Sequence, residues 1–205
     1  LGGLASKYDE PVLKAMEAYG HKNGFPIIDR LCGAMLHLLA LSIGAKKIFE
    51  LGSGYGYSAY WFAKAVGTKG KIWCTDGDTD NRNRAEAYLK KTGFWKRVDF
   101  LVGDAVTQLN RTPGTFDIVY NDIDKHGYPA AWEAAKKRIR PGGLYICDNT
   151  LWSGRVAEKN AAEPDHFKGW TAAIKDHNRR VFADRNFDAT LIPLRDGVLV
   201  ARRKA

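Results

Sequence analysis

Short apolar runs alternate along the chain with longer segments whose apolar residues recur at helical spacing. KKIFEL at 46–51 and KIWCTD at 71–76 have the length of buried strands, and YSAYWFAKAV at 57–66 between them predicts a helix. Three further strands are predicted at 98–104, 116–122 and 144–149. Further helices are predicted at 9–20, 30–44, 81–93, 129–139 (closed by the PGG at 141–143) and 170–184. The alternation predicts a mostly parallel sheet with helices on both faces.

The tail at 187–204, FDATLIPLRDGVLVARRK, predicts two strands around the turn Arg195-Asp196-Gly197. Such a hairpin would add antiparallel pairing at one edge of the sheet. The 205 residues, 45% of them hydrophobic, are enough for one domain with a substantial core. We therefore expect residues 1–205 to form a single domain, in which residues 1–28 are an N-terminal helical extension.

Composition narrows the classes of protein. The longest apolar stretches fall short of the ~20 residues of a membrane span, and the first ten residues lack the pattern of a signal peptide. Cys32, Cys74 and Cys147 are far apart and odd in number, which indicates reduced thiols rather than a disulfide framework. These features predict a cytoplasmic protein without a membrane partner.

The net charge is +9, which raises the possibility of a nucleic-acid partner. The basic residues are scattered, however, and acidic residues lie between them. The chain also lacks the aromatic signature of RNA-recognition sheets. A basic surface that attracts an anionic small molecule is therefore favoured over a nucleic-acid groove.

In open sheets of this kind, ligands bind outside the carboxyl ends of the strands. The ends of all five predicted parallel strands carry a carboxylate, in the segments 50–56, 76–78, 103–105, 121–125 and 147–150. This concentration of acids along one edge predicts that the functional site lies there.

The first strand leads into FELGSGYGYS at 49–58, a glycine-rich connection to the next helix. The dinucleotide pattern G-x-G-x-x-G fails when counted from Gly52, but its looser form with a final alanine fits from Gly54 to Ala59. Asp76 ends the next strand, where a carboxylate can accept both hydroxyls of a ribose. A cofactor that contains a nucleoside is thus indicated, and a dinucleotide stays an alternative.

The motifs E-L-G-S-G-Y-G, T-D at 75–76 and G-D-A at 103–105 resemble the class I S-adenosylmethionine-dependent methyltransferases. The resemblance implies an α/β, Rossmann-like methyltransferase fold, with the glycine loop on the methionine part of S-adenosylmethionine and the two later acids on ribose and adenine. The cofactor-binding residues that it implies are Glu50, Gly52, Ser58, Asp76, Asp104, Ala105 and Asp122.

Asp122 and Asp148 are one strand–helix–strand passage apart, so both should emerge at the same edge of the sheet. Asn149 adds a neutral oxygen beside Asp148. Three hard oxygen donors suit Mg²⁺ or Ca²⁺. Asp and Asn also end strands and cap helices for purely structural reasons, so this alternative stays open on the residues alone.

The segments D-I-D-K-x-x-Y at 122–128 and D-N-T-L-W-S-G-R-V at 148–156 together resemble the cation-dependent O-methyltransferases, which include catechol and caffeoyl-CoA O-methyltransferases. The resemblance runs from about residue 29 to the C-terminus and includes the tail, where L-I-P-L-R-D-G-V-L is similar to L-P-x-x-D-G-L. It implies that Asp122, Asp148 and Asn149 bind a divalent cation, with Mg²⁺ expected, and that Lys125 is the general base. Asp124 is expected to cap the following helix or to stay solvated.

The implied reaction transfers a methyl group from S-adenosylmethionine to a hydroxyl of a small catechol-like acceptor. A phenol with a pKa near ~10 is a poor nucleophile at neutral pH, and a nearby dication and a basic lysine would favour its anion. Loop 152–170 is predicted to form one wall of the acceptor site, where Trp152 could stack on a ring. Arg155 could meet an acidic substituent or be solvated. Since such enzymes are often homodimers, the resemblance also implies a homodimer.

Two positions depart from the family's pattern, and two further residues are assigned no part in the site. Gly54 stands where the family often has tyrosine, and Thr190 stands at the position of a glutamate that holds the second hydroxyl in animal catechol enzymes. His126 and Met35 are expected to be structural. Two alternatives remain, namely a metal-independent methyltransferase that acts on RNA or protein and a non-catalytic cofactor-binding module.

Overall fold

Seven strands form one sheet in the computed structural model, which describes residues 9–159 and 162–205. Its strands are β1 (Lys47–Leu51), β2 (Lys71–Asp76), β3 (Val98–Val102), β4 (Phe116–Asn121), β5 (Ile139–Cys147), β6 (Phe187–Ile192) and β7 (Val198–Arg203). The order across the sheet is β3-β2-β1-β4-β5-β7-β6. The first five strands pair in parallel, and β7 lies antiparallel between β5 and β6. The predicted mostly parallel sheet with a C-terminal hairpin is confirmed.

The α-helices of the described residues flank this sheet on both faces. They are α1 (Pro11–Asn23), α2 (Arg30–Ser42), α3 (Tyr57–Val66), α4 (Thr79–Lys90), α5 (Ala105–Arg111), α6 (Tyr128–Ala135) and α7 (Trp170–Ala183). One core lies under α1, α2 and α3, and a second core lies under α5, α6 and α7. Along β1, Ile48 enters the first core and Phe49 the second, as the alternation of side chains in a strand requires.

Local signals in the sequence explain where several helices begin and end. Pro11 occupies the first turn of α1, where its missing N–H is not needed, and Gly24 ends the helix in the left-handed conformation at φ 62°. The side chain of Asp29 accepts a hydrogen bond of 2.8 Å from the backbone N–H of Cys32 and so caps α2. These caps fix the two ends of segment 24–29, and residues 25–28 of this segment line the cavity described below.

Two predictions about elements are wrong. The helix predicted at 129–139 ends at Ala135, and the PGG that was expected to close it lies inside β5. The pairing of β5 with β4 skips from Ile139 to Leu144, so residues 140–143 form a bulge, in which Gly142 takes φ 75°. Helix α5 was not predicted, because few of its seven residues enter the core. Residues 1–8 of the predicted N-terminal extension lie outside the described residues.

Strands β2 and β3 lie on one side of β1, and β4 and all later strands lie on its other side. The sheet therefore has its switch point between β1 and β4, where ligands of such folds bind. No helix in the described part of the chain is long and apolar enough to cross a membrane.

Candidate active site

A cavity of about 1110 Å³ opens at the carboxyl ends of the parallel strands. One end is lined by the glycine loop together with Asp76 and Asp104, and the other by Asp122, Asp148 and an aromatic wall. Segment 25–28, between α1 and α2, covers one side. The predicted location of the site, at the acidic edge of the sheet, thus coincides with the large cavity of the structure.

The glycine loop runs close to the end of β4, and Gly52 makes this approach possible. Gly52 has φ 82°, and a Cβ atom placed on it would lie 2.5 Å from the carbonyl oxygen of Asp122. Only glycine adopts this conformation readily and leaves this space free. The cofactor loop and the strand end that carries Asp122 are therefore held together without any side chain between them.

Gly54 also stands next to a ring, although that ring comes from elsewhere in the chain. A Cβ atom on Gly54 would lie 2.9 Å from Cε1 of Phe25, and Phe25 lines the cavity. An aromatic ring of segment 25–28 therefore borders the glycine loop at the position of Gly54.

Glu50 lies beneath the glycine loop rather than on the cavity surface. Its side chain is fully buried, and its Oε2 accepts a hydrogen bond of 2.7 Å from Ser53 Oγ. Burial raises the pKa of Glu50 to about 7, against the opposing effect of hydrogen bonds from Ser58 and Ser53. Both serines line the cavity, whereas Glu50 does not. Direct contact of Glu50 with a cofactor stays a prediction.

Asp76, Asp104 and Ala105 all line the cofactor end of the cavity, as does Ser58. Oδ1 of Asp76 accepts hydrogen bonds from the backbone N–H of Asp78 at 2.9 Å and from Asn81 Nδ2 at 3.0 Å. Asp104 caps α5 by accepting a bond of 2.8 Å from the backbone N–H of Thr107, and hydrogen bonds from Thr107 lower the pKa of this carboxyl. Both acids are therefore held in place by local turns while they face the cavity.

Lys125 is largely buried at the other end of the cavity, and its ammonium group is held in place. Its Nζ donates to Asp122 Oδ1 at 3.0 Å and to the carbonyl of Ile123 at 3.2 Å, and it lies 5.2 Å from the centre of the Tyr128 ring. The short turn between β4 and α6 thus places an amine and a carboxylate side by side at the cavity surface.

Asp148 lies opposite this pair, at the end of β5, and is only 1% exposed. Its Oδ2 accepts a hydrogen bond of 3.1 Å from Arg195 Nη1, and its Oδ1 is buried without a hydrogen-bond partner among the described residues. Burial raises the pKa of Asp148, and the negative charge of Asp122 raises it further. A buried carboxylate oxygen that lacks a donor is a natural position for a cation.

The residues at this end fit a hard divalent cation. Asp122, Asp148 and Asn149 all line this part of the cavity, and carboxylate and amide oxygens suit Mg²⁺ or Ca²⁺. Asn149 itself has φ 54°, the left-handed conformation that asparagine tolerates better than most residues. In residues 9–159 and 162–205, this end of the cavity included, no group of three His, Cys, Asp or Glu side chains is arranged to hold a metal ion, so a cation here would need the asparagine oxygen as its third protein donor.

Arg195 is a residue of this site that the sequence did not single out. It belongs to the turn between β6 and β7, has φ 50°, and lines the cavity beside Asp148. Its one local signal in the sequence is that arginine occupies a turn position, where Gly, Pro, Asn, Asp or Ser is usual. Nothing in the sequence pairs this turn with a strand end 47 residues earlier.

An aromatic wall lines the cavity together with Asp122 and Asp148. The Trp152 ring centre lies 5.3 Å from that of Phe167 and 5.6 Å from that of Trp170, and His126 packs on Trp170 at 6.3 Å. All four line the cavity. Residues 160 and 161 of the predicted acceptor loop lie outside the described residues.

Arg155, Thr190 and Met35 lie outside the cavity lining, whereas Asp124 belongs to it. Arg155 stands outside its lining, with its guanidinium 5.9 Å from the Trp152 ring centre and its Nε bonded to the carbonyl of Ala162 at 3.2 Å. Asp124 is exposed at the rim and makes no side-chain capping bond. Thr190 is an exposed residue of the edge strand β6, and Met35 packs against the first core.

A doubly wound sheet with a glycine loop at its switch point, and an acid at the end of the second strand, defines the class of enzymes that bind nucleoside-containing cofactors. The comparisons narrow this class. A family model described as O-methyltransferase matches residues 4–204. The chain belongs to this family and is an S-adenosylmethionine-dependent O-methyltransferase. The dinucleotide alternative is thereby set aside.

Individual relatives show how far the similarity extends. A caffeoyl-CoA O-methyltransferase from Stellaria longipes is 30% identical over 97% of this chain and 84% of that protein. A flavonoid 3',5'-methyltransferase from Vitis vinifera is 31% identical over 83% of this chain and 76% of that protein. Among solved structures, the O-methyltransferase TomG from Streptomyces achromogenes, in complex with S-adenosylmethionine, has a TM-score of 0.85 at 25% identity over 96% of this chain and 91% of that chain.

Proposed function

We propose that this enzyme methylates a hydroxyl of a small aromatic acceptor with vicinal hydroxyls, with a divalent cation at Asp122, Asp148 and Asn149 and with Lys125 as the general base. One observation carries the proposal: the buried, unpartnered Asp148 Oδ1 shares a cavity with the Lys125–Asp122 pair, between the cofactor loop and an aromatic wall. This arrangement supplies a place for the donor, a place for a cation and a place for an aromatic ring.

The donor end is supported by the glycine loop and by Asp76. Because Gly52, Ser53 and Gly54 line the cavity without bulky side chains, the methionine part of S-adenosylmethionine can lie against the backbone. Asp76 faces the same space with its Oδ1 already held by two donors, so its orientation is fixed before a ribose binds. Asp76→Ala should weaken S-adenosylhomocysteine binding by roughly 10- to 100-fold, because bonds to a charged acceptor are each worth about 1.5–3 kcal/mol.

The reaction is an in-line displacement, in which an acceptor oxygen attacks the methyl carbon and the bond from carbon to sulfur breaks. A bound divalent cation would supply the positive charge that favours ionisation of the acceptor hydroxyl. Lys125, when neutral, takes the hydroxyl proton. Because Lys125 is largely buried and is held by Asp122 and the Ile123 carbonyl, its Nζ has a defined position in the cavity.

The acceptor is proposed from the aromatic wall and from the names of the relatives. Trp152, Phe167 and Trp170 offer flat apolar surface beside the cation end, which suits a planar ring. The relatives are named for caffeoyl-CoA and flavonoids, both of which are phenolic compounds. Because Thr190 stays outside the cavity lining, any group that holds a second hydroxyl must come from another part of the site.

An acceptor screen tests the proposal directly. Catechols, caffeoyl conjugates and flavonoids would be incubated with S-adenosylmethionine and Mg²⁺, and methylated products would be measured by mass spectrometry before and after chelation with EDTA. We expect methylation of at least one vicinal diphenol that is lost with EDTA and restored by excess Mg²⁺. Methylation that persists after complete chelation would support the metal-independent alternative instead.

A pair of variants sharpens the same test. Asp148→Asn should abolish the Mg²⁺-dependent activity, because it removes the charge of a proposed ligand. Asp188→Asn makes the same chemical change on β6, where the side chain is 69% exposed and pairs with Lys204 at the surface. This control should keep wild-type activity, and an equal loss in both variants would point to a general effect of the substitution.

A further inference from the structure

Arg195 joins three parts of the molecule at the cation end of the cavity. Its Nη1 donates to Asp148 Oδ2 at 3.1 Å, its Nη2 donates to the carbonyl of Ile27 at 3.1 Å, and its Nε lies 3.7 Å from Asp29 Oδ2. These contacts connect the β6–β7 turn, the end of β5 and the segment before α2. The side chain is 27% exposed and lines the cavity, so it borders the space that a ligand would occupy.

Each of the two carboxylates of the proposed cation site already lies beside a positively charged side chain. Lys125 Nζ lies 3.0 Å from Asp122 Oδ1, and Arg195 Nη1 lies 3.1 Å from Asp148 Oδ2. The formal charges of these four side chains sum to zero. A dication that enters the site therefore meets carboxylates whose negative charge is already compensated, and its binding must displace or oppose one of these positive groups.

Arg195 keeps its charge and its position beside Asp148. The guanidinium of Arg195 remains charged under all conditions in which a protein is folded. Arg195 also keeps two partners in segment 27–29, which hold it near Asp148. Its positive charge consequently persists beside the site.

We propose that Arg195 is a built-in counter-ion that competes with the divalent cation for Asp148 and lowers the affinity of the site. This inference rests on the proposed function, since it concerns the same cation site. Oδ2 of Asp148 is held by the guanidinium, and only the buried Oδ1 is left for a metal ion. Arg195 thus restricts Asp148 to one available oxygen and opposes the incoming charge.

The direction in which the cation affinity changes when Arg195 loses its charge distinguishes competition with the cation from orientation of Asp148 as a ligand. If Arg195 mainly competes, removal of its charge should tighten cation binding, by roughly tenfold or more for a unit charge at this distance. If it mainly orients Asp148, as outer-shell partners of metal ligands often do, its removal should weaken binding by about 10- to 100-fold. The two roles therefore predict opposite changes in a binding constant that does not depend on turnover.

The test measures the dissociation constant of Mn²⁺ by electron paramagnetic resonance, and of Mg²⁺ by calorimetry, in the full chain with S-adenosylhomocysteine and without acceptor. Arg195→Gln and Arg195→Met remove the charge, whereas Arg195→Lys keeps it. We expect the two neutral variants to bind both ions roughly tenfold more tightly, with Arg195→Lys within about threefold of the wild type. Arg202→Gln, the same change on an exposed residue of β7, should leave both constants unchanged.

Equal or weaker binding in both neutral variants would overturn the inference. Thermal melts and the affinity for S-adenosylhomocysteine show whether each variant is folded, so a weaker binder that has unfolded is recognised, and the remaining neutral variant decides. A failure of the proposed function looks different: the wild type and all variants would bind neither ion, while a metal-free acceptor assay still yielded product. That result would remove the cation site and this inference together.

Discussion

The hydroxyl of Tyr128 donates a hydrogen bond of 2.9 Å to the backbone carbonyl of Asp148. Tyr128 opens α6, just after Lys125, and Asp148 follows the last residue of β5. The bond therefore joins the two chain segments that carry the proposed base and the proposed cation ligands. It is fully buried, and it holds the strand end immediately before Asn149, which takes the left-handed conformation.

We expect Tyr128→Phe to lower the free energy of unfolding by about 1–2 kcal/mol, because a buried carbonyl loses its donor. Activity well below the melting temperature should fall further than the folded fraction explains, since Asp148 and Asn149 lose a constraint. Urea unfolding and steady-state rates measure the two effects. Tyr88→Phe is the matched control, because its hydroxyl makes only a long contact of 3.5 Å to Ala15. Unchanged activity in Tyr128→Phe would show that the bond serves stability alone.

Lys125→Gln should reduce kcat by about 10²- to 10⁴-fold, the range for loss of a general base, while the affinity for S-adenosylhomocysteine stays at the wild-type value. Glutamine keeps polar hydrogen-bonding atoms near Asp122 but cannot take the proton of an acceptor hydroxyl. Single-turnover rates with an acceptor found in the screen give the effect on chemistry. Lys137→Gln, an exposed lysine that follows α6, should behave as the wild type. Near-normal turnover in Lys125→Gln would assign the base elsewhere.

Gly52→Ala should be strongly destabilising and should weaken cofactor binding, for two separable reasons. Its φ of 82° costs an alanine about 1–2 kcal/mol, and the added Cβ would overlap the Asp122 carbonyl at 2.5 Å. Gly93→Ala carries left-handed strain at φ 71° but has open space around it. The difference between the two variants in urea unfolding isolates the overlap. If both lose equal stability, the close approach of loop and strand contributes little.

The pH dependence of stability should depend on His177. Burial lowers the pKa of His177 to about 4, from about 6.5 in an unfolded chain. Between these values the unfolded state binds more protons, so the free energy of unfolding falls as the pH drops from 6.5 to 4. The contribution amounts to about 3 kcal/mol over this window.

His177→Phe should remove this part of the pH dependence. The neutral ring bonds to Tyr145 at 2.9 Å and to Asn178 at 3.0 Å, so the variant is less stable than the wild type at pH 8. Its deficit should shrink as the pH approaches 4.5, as measured by urea unfolding at each pH. Exposed His21, replaced by glutamine, is the control substitution and should leave the stability at pH 8 at the wild-type value. A constant gap between wild type and His177→Phe would mean that His177 titrates alike in both states.

Much of the fold followed from short-range patterns. The helix at 57–66 and the strand at 71–76 have the predicted bounds, because the apolar spacing within each segment decides which side is buried. The crossover rule predicted that Asp122 and Asp148 emerge at the same edge of the sheet, and the strands that precede them, β4 and β5, pair in parallel. The hydrophobic pattern was less informative at 140–143, where turn residues form a bulge inside a strand. It also missed α5, because this helix buries few apolar side chains.

The sequence by itself determined the alternating architecture, the acidic strand ends and the glycine loop, since each depends on residues close together in the chain. Only the tertiary structure decided that Phe25 stands beside Gly54, that Arg195 holds Asp148, and that Arg155 lies outside the cavity. These relationships join segments tens of residues apart, and they depend on side-chain packing and charge compensation. Periodicity predicts which residues are buried, but it carries no information about which distant partner a buried or charged group will meet.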